Sequence, residues 1–194
     1  MTPRAADPRT IRTVAALRAA LAELIADTPV DDVTVTQLCA AAGIPRTTYY
    51  SHFGSVPELL VSTLVEAVHD VIAVNEPQAD IEATASLFLD RFTDALELIR
   101  RERAMFRAAF ASSRAGLLVR ELDAMLARRV EIAFAIWEEL GIVDGTDRRI
   151  AVPFLAGALT AVLHAWARSD DTDAAAWTAA TTSEMPAWWP RPGS

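Results

Sequence analysis

One cysteine, seven glycines and no lysine at all distinguish this chain of 194 residues. The lone Cys39 excludes a disulfide scaffold and a multi-cysteine zinc site. His52, His69 and His164 match no zinc-ligand spacing either, so neither a metal nor a cofactor is expected. Every one of the 18 positive charges is an arginine, and 26 acidic residues outweigh them to a net charge of −8. That balance excludes a histone-like, globally basic nucleic-acid binder. The sequence also lacks a glycine-rich phosphate loop and any nucleophile–base motif, so an enzyme is the weakest functional class. Met1–Pro8 contains no apolar signal-peptide core, which points to a cytoplasmic protein. Strand-like alternation, internal repeats and low-complexity linkers are absent too.

The one long apolar run is Ile150–Ala167, bounded by Arg149 and Arg168. It falls short of the ~20 residues a membrane span needs, and Pro153 lies within it. A helix that is apolar on all sides can equally be buried, and burial without membrane contact is the expected state. The abundance is in alanine and in apolar residues generally, 52% of the chain. Together with the scarcity of glycine this favours an all-α protein, long enough to bury a core without covalent staples.

Apolar residues recur at helical spacing along most of the chain. Asp7-Pro8 opens a first helix carrying Ile11, Val14, Leu17, Leu21, Leu24 and Ile25 inward, which Asp27-Thr28-Pro29 stops. Thr34-Val-Thr-Gln37 has the form of a capping box and starts a short helix that Gly43 ends in the left-handed conformation. Pro45 opens a second short helix to about His52. Ser55-Val-Pro-Glu58 is another capping box, opening a long helix with Leu60, Leu64, Ala67, Val68 and Val71 inward, ending near Asn75-Glu76-Pro77. Longer helices are predicted over Asp80 to about Phe110, Gly116 to Leu140 (carrying Leu118, Leu122, Met125, Leu126, Ile132 and Ile136), Asp147 to Arg168 and Thr172 to about Ser183. Three prolines make Met185–Ser194 non-helical, with Trp188 and Trp189 lying on the body.

Two short helices joined by a tight turn at Gly43-Ile44, inside a protein of long helices, form a helix-turn-helix whose second helix is sized for a DNA major groove. Leu38, Ala41, Ile44, Tyr49 and Phe53 are placed to pack the unit. Arg46, Thr47, Thr48, Tyr50, Ser51 and His52 remain to meet phosphates or base edges, and the helix N-terminus offers amides to a phosphate. The run from Thr34 to Leu60 resembles the signature of the tetracycline-repressor (TetR) family of bacterial regulators. The resemblance lies in Ala42-Gly43-Ile44, Thr48, Tyr50, His52-Phe53, Ser55 and Glu58-Leu59-Leu60, and covers roughly residues 9–65. It implies a three-helix DNA-binding domain over residues 9–65 and a helical ligand-binding and dimerisation domain over 66–194. It also implies a regulator, by default a repressor, that a small molecule releases from a palindromic operator. Matched residue by residue, Thr36 and Gln37 begin the helix that abuts the DNA backbone, Arg46, Thr47 and Thr48 open the recognition helix, and Tyr50 and His52 sit where phosphates are often met. Two positions depart from the pattern. Val56 stands where many members carry a basic residue, and Pro45 replaces a small polar residue and removes a backbone donor. Arg4, Arg9 and Arg12 are candidates to compensate as backbone contacts or a minor-groove arm. The departures leave an alternative open: a helical small-molecule-binding or scaffold protein that has lost DNA binding.

The C-terminal residues suggest a ligand and a partner. Phe88, Phe92, Met105, Phe106, Phe110, Met125, Phe134, Trp137 and Trp166 could line a cavity for a small apolar or amphipathic molecule, with Arg91, Arg107 and His164 as polar anchors. For most of them ordinary core packing is the simpler reading. Phe154, Gly157, Ala158, Ala161 and Ala165 allow close helix approach and are the candidate homodimer interface. A twofold dimer would suit operator half-sites about 34–36 Å apart. The charge divides accordingly: residues 1–56 hold five arginines and five acids, residues 57–194 hold 13 arginines and 21 acids. DNA binding by such a chain is expected to be specific and electrostatically modest.

Overall fold

The computed structural model describes residues 8–73, 81–143 and 145–189. Among these, nine helices and no strand are found: α1 (Pro8–Leu24), α2 (Val35–Ala42), α3 (Arg46–Tyr50), α4 (Val56–Val71), α5 (Ile81–Arg101), α6 (Arg103–Ala111), α7 (Ala115–Glu139), α8 (Arg148–Arg168) and α9 (Ala174–Ser183). The expected all-α class is what the chain adopts. Arg4 lies outside the described residues, as does the predicted helix end at Asn75–Pro77.

The helices divide into two compact units. The first comprises the chain up to Leu64 together with Ala104–Leu118. Its core is Leu17 and Leu21 of α1, Leu38 of α2, Tyr49 of α3, Leu59, Leu60 and Leu64 of α4, and Phe106 of α6, each 1% exposed or less. Burying side chains of this size stabilises by roughly 1.5–3 kcal/mol apiece. Polar contacts place α6 and its following turn: the Asp31 carboxylate, in the loop before α2, accepts from both the amide and the hydroxyl of Ser113 at 2.7 Å. Grouping residues 104–118 with the N-terminal helices is a feature that the simple division at residue 65 does not contain.

The second unit comprises Val65–Arg103 and the chain from Val119 on. Here α5 packs against α8 and α9. Trp166, fully buried, donates its indole N–H to the Leu96 carbonyl at 2.7 Å. Its ring lies 5.1 Å from that of Trp177 and 5.0 Å from the Arg103 guanidinium. Arg103 in turn donates to the Asp171 carbonyl, and Trp177 donates to the Asp171 carboxylate at 2.9 Å. Three donors, the Trp177 indole first and then the amides of Asp173 and Thr172, hold this carboxyl below the usual carboxylate range.

Two sequence expectations change. The helix predicted from Asp80 to Phe110 is two helices broken at Glu102. No proline or glycine marks the break. Arg103, the first residue after it, is drawn into the Trp166–Asp171 contacts, so tertiary packing overrides local propensity. Not every apolar residue at helical spacing is covered, for Ile11 is 57% and Ile132 53% exposed. Periodicity identifies an apolar stripe, but only a neighbouring element covers it.

α8 is, among the described residues, the one helix long and apolar enough to cross a membrane. Its buried set, which includes Leu155, Leu159, Leu163, Trp166 and Ala167, packs in the second unit as a core helix does. Pro153 sits exposed in its second turn, where the lost bond to the Arg149 carbonyl is a single one.

Candidate functional site

Local rules build the α2–turn–α3 element. Thr34 caps α2: the Gln37 amide donates to Thr34 Oγ1 at 3.2 Å, and Gln37 Oε1 accepts from the Thr34 amide at 2.9 Å and from its hydroxyl at 2.7 Å. The reciprocal capping box is therefore complete. Gly43 ends the helix at φ 66°, a conformation that costs glycine little. Backbone bonds then set the turn, with Ile44 N–H donating to the Cys39 carbonyl at 3.0 Å. α3 follows at once; Pro45 is its N-cap and makes no side-chain cap bond, while its carbonyl accepts from the amides of Thr48 and Tyr49.

On α3 two adjacent tyrosines part company. Tyr49 is fully buried, its ring 5.8 Å from Phe53, and burial pushes its phenol well above the ordinary range. Tyr50 is 53% exposed and stands edge-on to Tyr49 at 5.5 Å. Arg46, Thr47, Ser51 and His52 are exposed beside Tyr50, and Thr48 is half-buried. The Ser51 hydroxyl donates to the Thr48 carbonyl at 2.7 Å and so closes the helix end. Thr36 and Gln37 are exposed on α2, and Arg9 and Arg12 on α1. Cys39 is buried, its thiol raised by burial and partly offset by Arg46, and it serves as core. Ala41, expected to pack, is exposed, whereas Ile44 and Phe53 are half-buried. At the start of α4, the Glu58 amide donates to the Ser55 hydroxyl at 3.3 Å, one half of the second capping box.

The ligand candidates do not form one group. Met105, Phe106, Arg107 and Phe110 belong to the first unit, the other members to the second. In the second unit Phe88 stacks on Phe92 at 5.7 Å, and Phe134 lies 5.8 Å from Trp137. Trp188 and Trp189 of the tail complete this cluster, as expected of residues lying on the body. Trp166 belongs instead to the Arg103–Trp177 contacts described above. Met125 and His164 are half-buried, and Arg91 pairs with Asp94 on its own helix at 3.2 Å.

Phe154, 62% exposed, together with the exposed Gly157, Ala161 and Ala165 and the half-buried Ala158, forms a stripe along α8. Ile150, 67% exposed and one turn before Phe154, extends it and was missed from sequence. Beside it an open groove of about 560 Å³ runs between α8 and α9, lined among others by Phe154, Ala158, Val162, Trp177 and Ala180. Among the described residues no group of three or more His, Cys, Asp or Glu side chains could hold a metal ion.

An all-helical chain with a helix-turn-helix near its start and a larger helical body after it has the fold of TetR-like regulators, the family that residues 34–60 resemble. Solved structures agree over nearly the whole length. The fatty acid degradation regulator FadR from Bacillus halodurans aligns at a TM-score of 0.65 and 17% identity over 93% of this chain and 95% of its own. RolR, solved in complex with its ligand resorcinol, aligns at 0.54 and 20% identity over 90% of this chain and 88% of its own. The TetR family repressor AlkX from Dietzia sp. aligns at only 0.46, with 19% identity over 92% and 95%. No protein-family model matches the chain, and no curated protein matches it in sequence.

Proposed function

We propose that this protein is a homodimeric, ligand-responsive DNA-binding regulator of the TetR type, acting in the cytoplasm as a repressor. The observation that carries the reading is the α2–turn–α3 element: its packing residues Leu38 and Tyr49 are buried, while Arg46, Thr47, Tyr50, Ser51 and His52 all face outward together. Arg46 at the first position of α3 reaches a base edge or phosphate. Tyr50, Thr36, Gln37 and His52 position the helix on the sugar–phosphate backbone, with Arg9 and Arg12 of α1 adding phosphate contacts. Gln37 does this through its amide nitrogen, because its oxygen is engaged in the capping box.

The exposed stripe Ile150, Phe154, Gly157, Ala161 and Ala165 supports a twofold interface in which α8 and α9 of two copies form four helices. Such a dimer presents two recognition helices to successive major grooves. A ligand among the helices of the second unit changes DNA affinity by its difference in affinity for the DNA-competent and incompetent states. FadR, a regulator of fatty acid degradation, and RolR, which binds resorcinol, share this fold and support the reading.

A mobility-shift assay on DNA upstream of the protein's own gene tests the reading. The wild type shifts a palindromic site; Arg46→Ala combined with Tyr50→Ala abolishes the shift and leaves the dimer intact. Few cations face the DNA, so the affinity falls with salt along a shallow slope, about 0.9 decade per decade of salt for each phosphate neutralised. Absence of any sequence preference at low salt favours the scaffold alternative.

A further inference from the structure

The tail Pro186–Trp189 lies outside any helix, its turn closed by the Trp189 amide donating to the Pro186 carbonyl at 2.9 Å. From it two indoles reach into the second unit. Trp189, 4% exposed, meets Phe88 at 4.7 Å and Trp137 at 5.0 Å, both edge-to-face. Trp188 meets Phe134 at 5.5 Å and Trp137 at 6.4 Å. Trp137 is 2% exposed, and its indole N–H has no hydrogen-bond partner among the described residues.

Two physical facts set this cluster apart from ordinary core. A buried indole N–H usually finds an acceptor, and leaving one unpaired is unfavourable. Among the described residues, Trp188 and Trp189 bring flat aromatic surface to Trp137 and no acceptor meets its N–H, so they satisfy the shape of the site and not its chemistry. In addition, Pro186–Trp189 lies outside any helix, so it can leave the cluster without unwinding one.

We infer that Phe88, Phe134 and Trp137 form a binding site for a flat aromatic ligand of about indole size carrying an oxygen acceptor for the Trp137 N–H, and that Trp188–Trp189 occupy this site as an intramolecular competitor. This deepens the ligand-responsive reading and rests on it for its regulatory meaning; the site itself is testable without DNA. A competitor that closes the site lowers the apparent affinity by the fraction of molecules that are open. Loss of the two indoles therefore tightens binding, the opposite of what removal of a purely structural contact does.

The test uses the full chain and 2-naphthol, a bicyclic aromatic whose hydroxyl oxygen can accept. By titration calorimetry, Trp188→Ala/Trp189→Ala binds 2-naphthol at least about tenfold more tightly than the wild type. Chymotrypsin, cleaving after Trp188, provides a measurement on the wild type that needs no variant: 2-naphthol displaces the tail and speeds this cut. Equal or weaker binding by a folded double variant overturns the proposal, as does protection of the Trp188 cut by ligand or failure of both proteins to bind. The mobility shift of the same wild-type preparation is read separately. Loss of the tail effect with specific DNA binding intact sinks only this site, and a tail effect without DNA binding sinks only the regulator reading.

Discussion

Tyr49 and Tyr50 are consecutive, chemically identical and placed oppositely, so removing one oxygen from each separates folding from DNA contact. The Tyr49 hydroxyl is buried with no hydrogen-bond partner among the described residues, in a side chain 0% exposed. Its desolvation is uncompensated, a cost of roughly 1–3 kcal/mol for a buried polar group. Tyr49→Phe keeps the ring against Tyr50 and Phe53 and discards that cost. The expected gain is about 1 kcal/mol, or about 2–4 °C in Tm for a chain of this size, with DNA affinity unchanged. Tyr50→Phe removes an exposed hydroxyl, and stability stays within about 0.5 kcal/mol. If that hydroxyl donates to a phosphate, a hydrogen bond to a charged group is worth about 1.5–3 kcal/mol, so DNA affinity falls about tenfold or more. Urea unfolding followed by circular dichroism reads the first quantity, and a mobility-shift titration at fixed salt reads the second. A destabilised Tyr49→Phe, or equal losses of DNA affinity in the two variants, refutes the reasoning, because the two oxygens would then share an environment.

Trp166→Phe removes the indole N–H that binds the Leu96 carbonyl and leaves a partial void between α5 and α8. It lowers unfolding stability by about 1–3 kcal/mol in urea denaturation, and an unchanged midpoint would show the contact to be dispensable. Asp171 has a depressed folded-state pKa, so the stability it contributes is present above the unfolded value, about 3.9, and is lost as pH falls through the lower folded value. As pH falls below about 4, Asp171→Asn therefore loses less stability than the wild type, and parallel curves for the two contradict this. Ala161→Glu puts a charge in the middle of the proposed α8 interface; sedimentation should show monomers and weakened operator binding, while a persistent dimer moves the interface elsewhere.

Interactions that act over a few residues were legible in the sequence alone. Thr34 and Gln37 cap α2 because they lie three apart. Gly43 ends α2 because it alone there takes a positive φ without strain, and Tyr49 turns inward and Tyr50 outward because the helical period separates them. α7 and α8 began and ended within a residue of expectation for the same reason. The tertiary structure decided what depends on distant partners. No local signal breaks the chain at Glu102, joins Asp31 to Ser113, or brings Trp189 from the end of the chain onto Phe88 and Trp137. Ile11, Ile132 and Ile150 are as apolar as Leu17, yet they stay exposed because no element among the described residues of the single chain covers their sides of the helices. Capping and periodicity are short-range energies that each residue carries with it. Burial is shared between residues far apart in sequence, and which apolar face is covered is settled only when the helices pack.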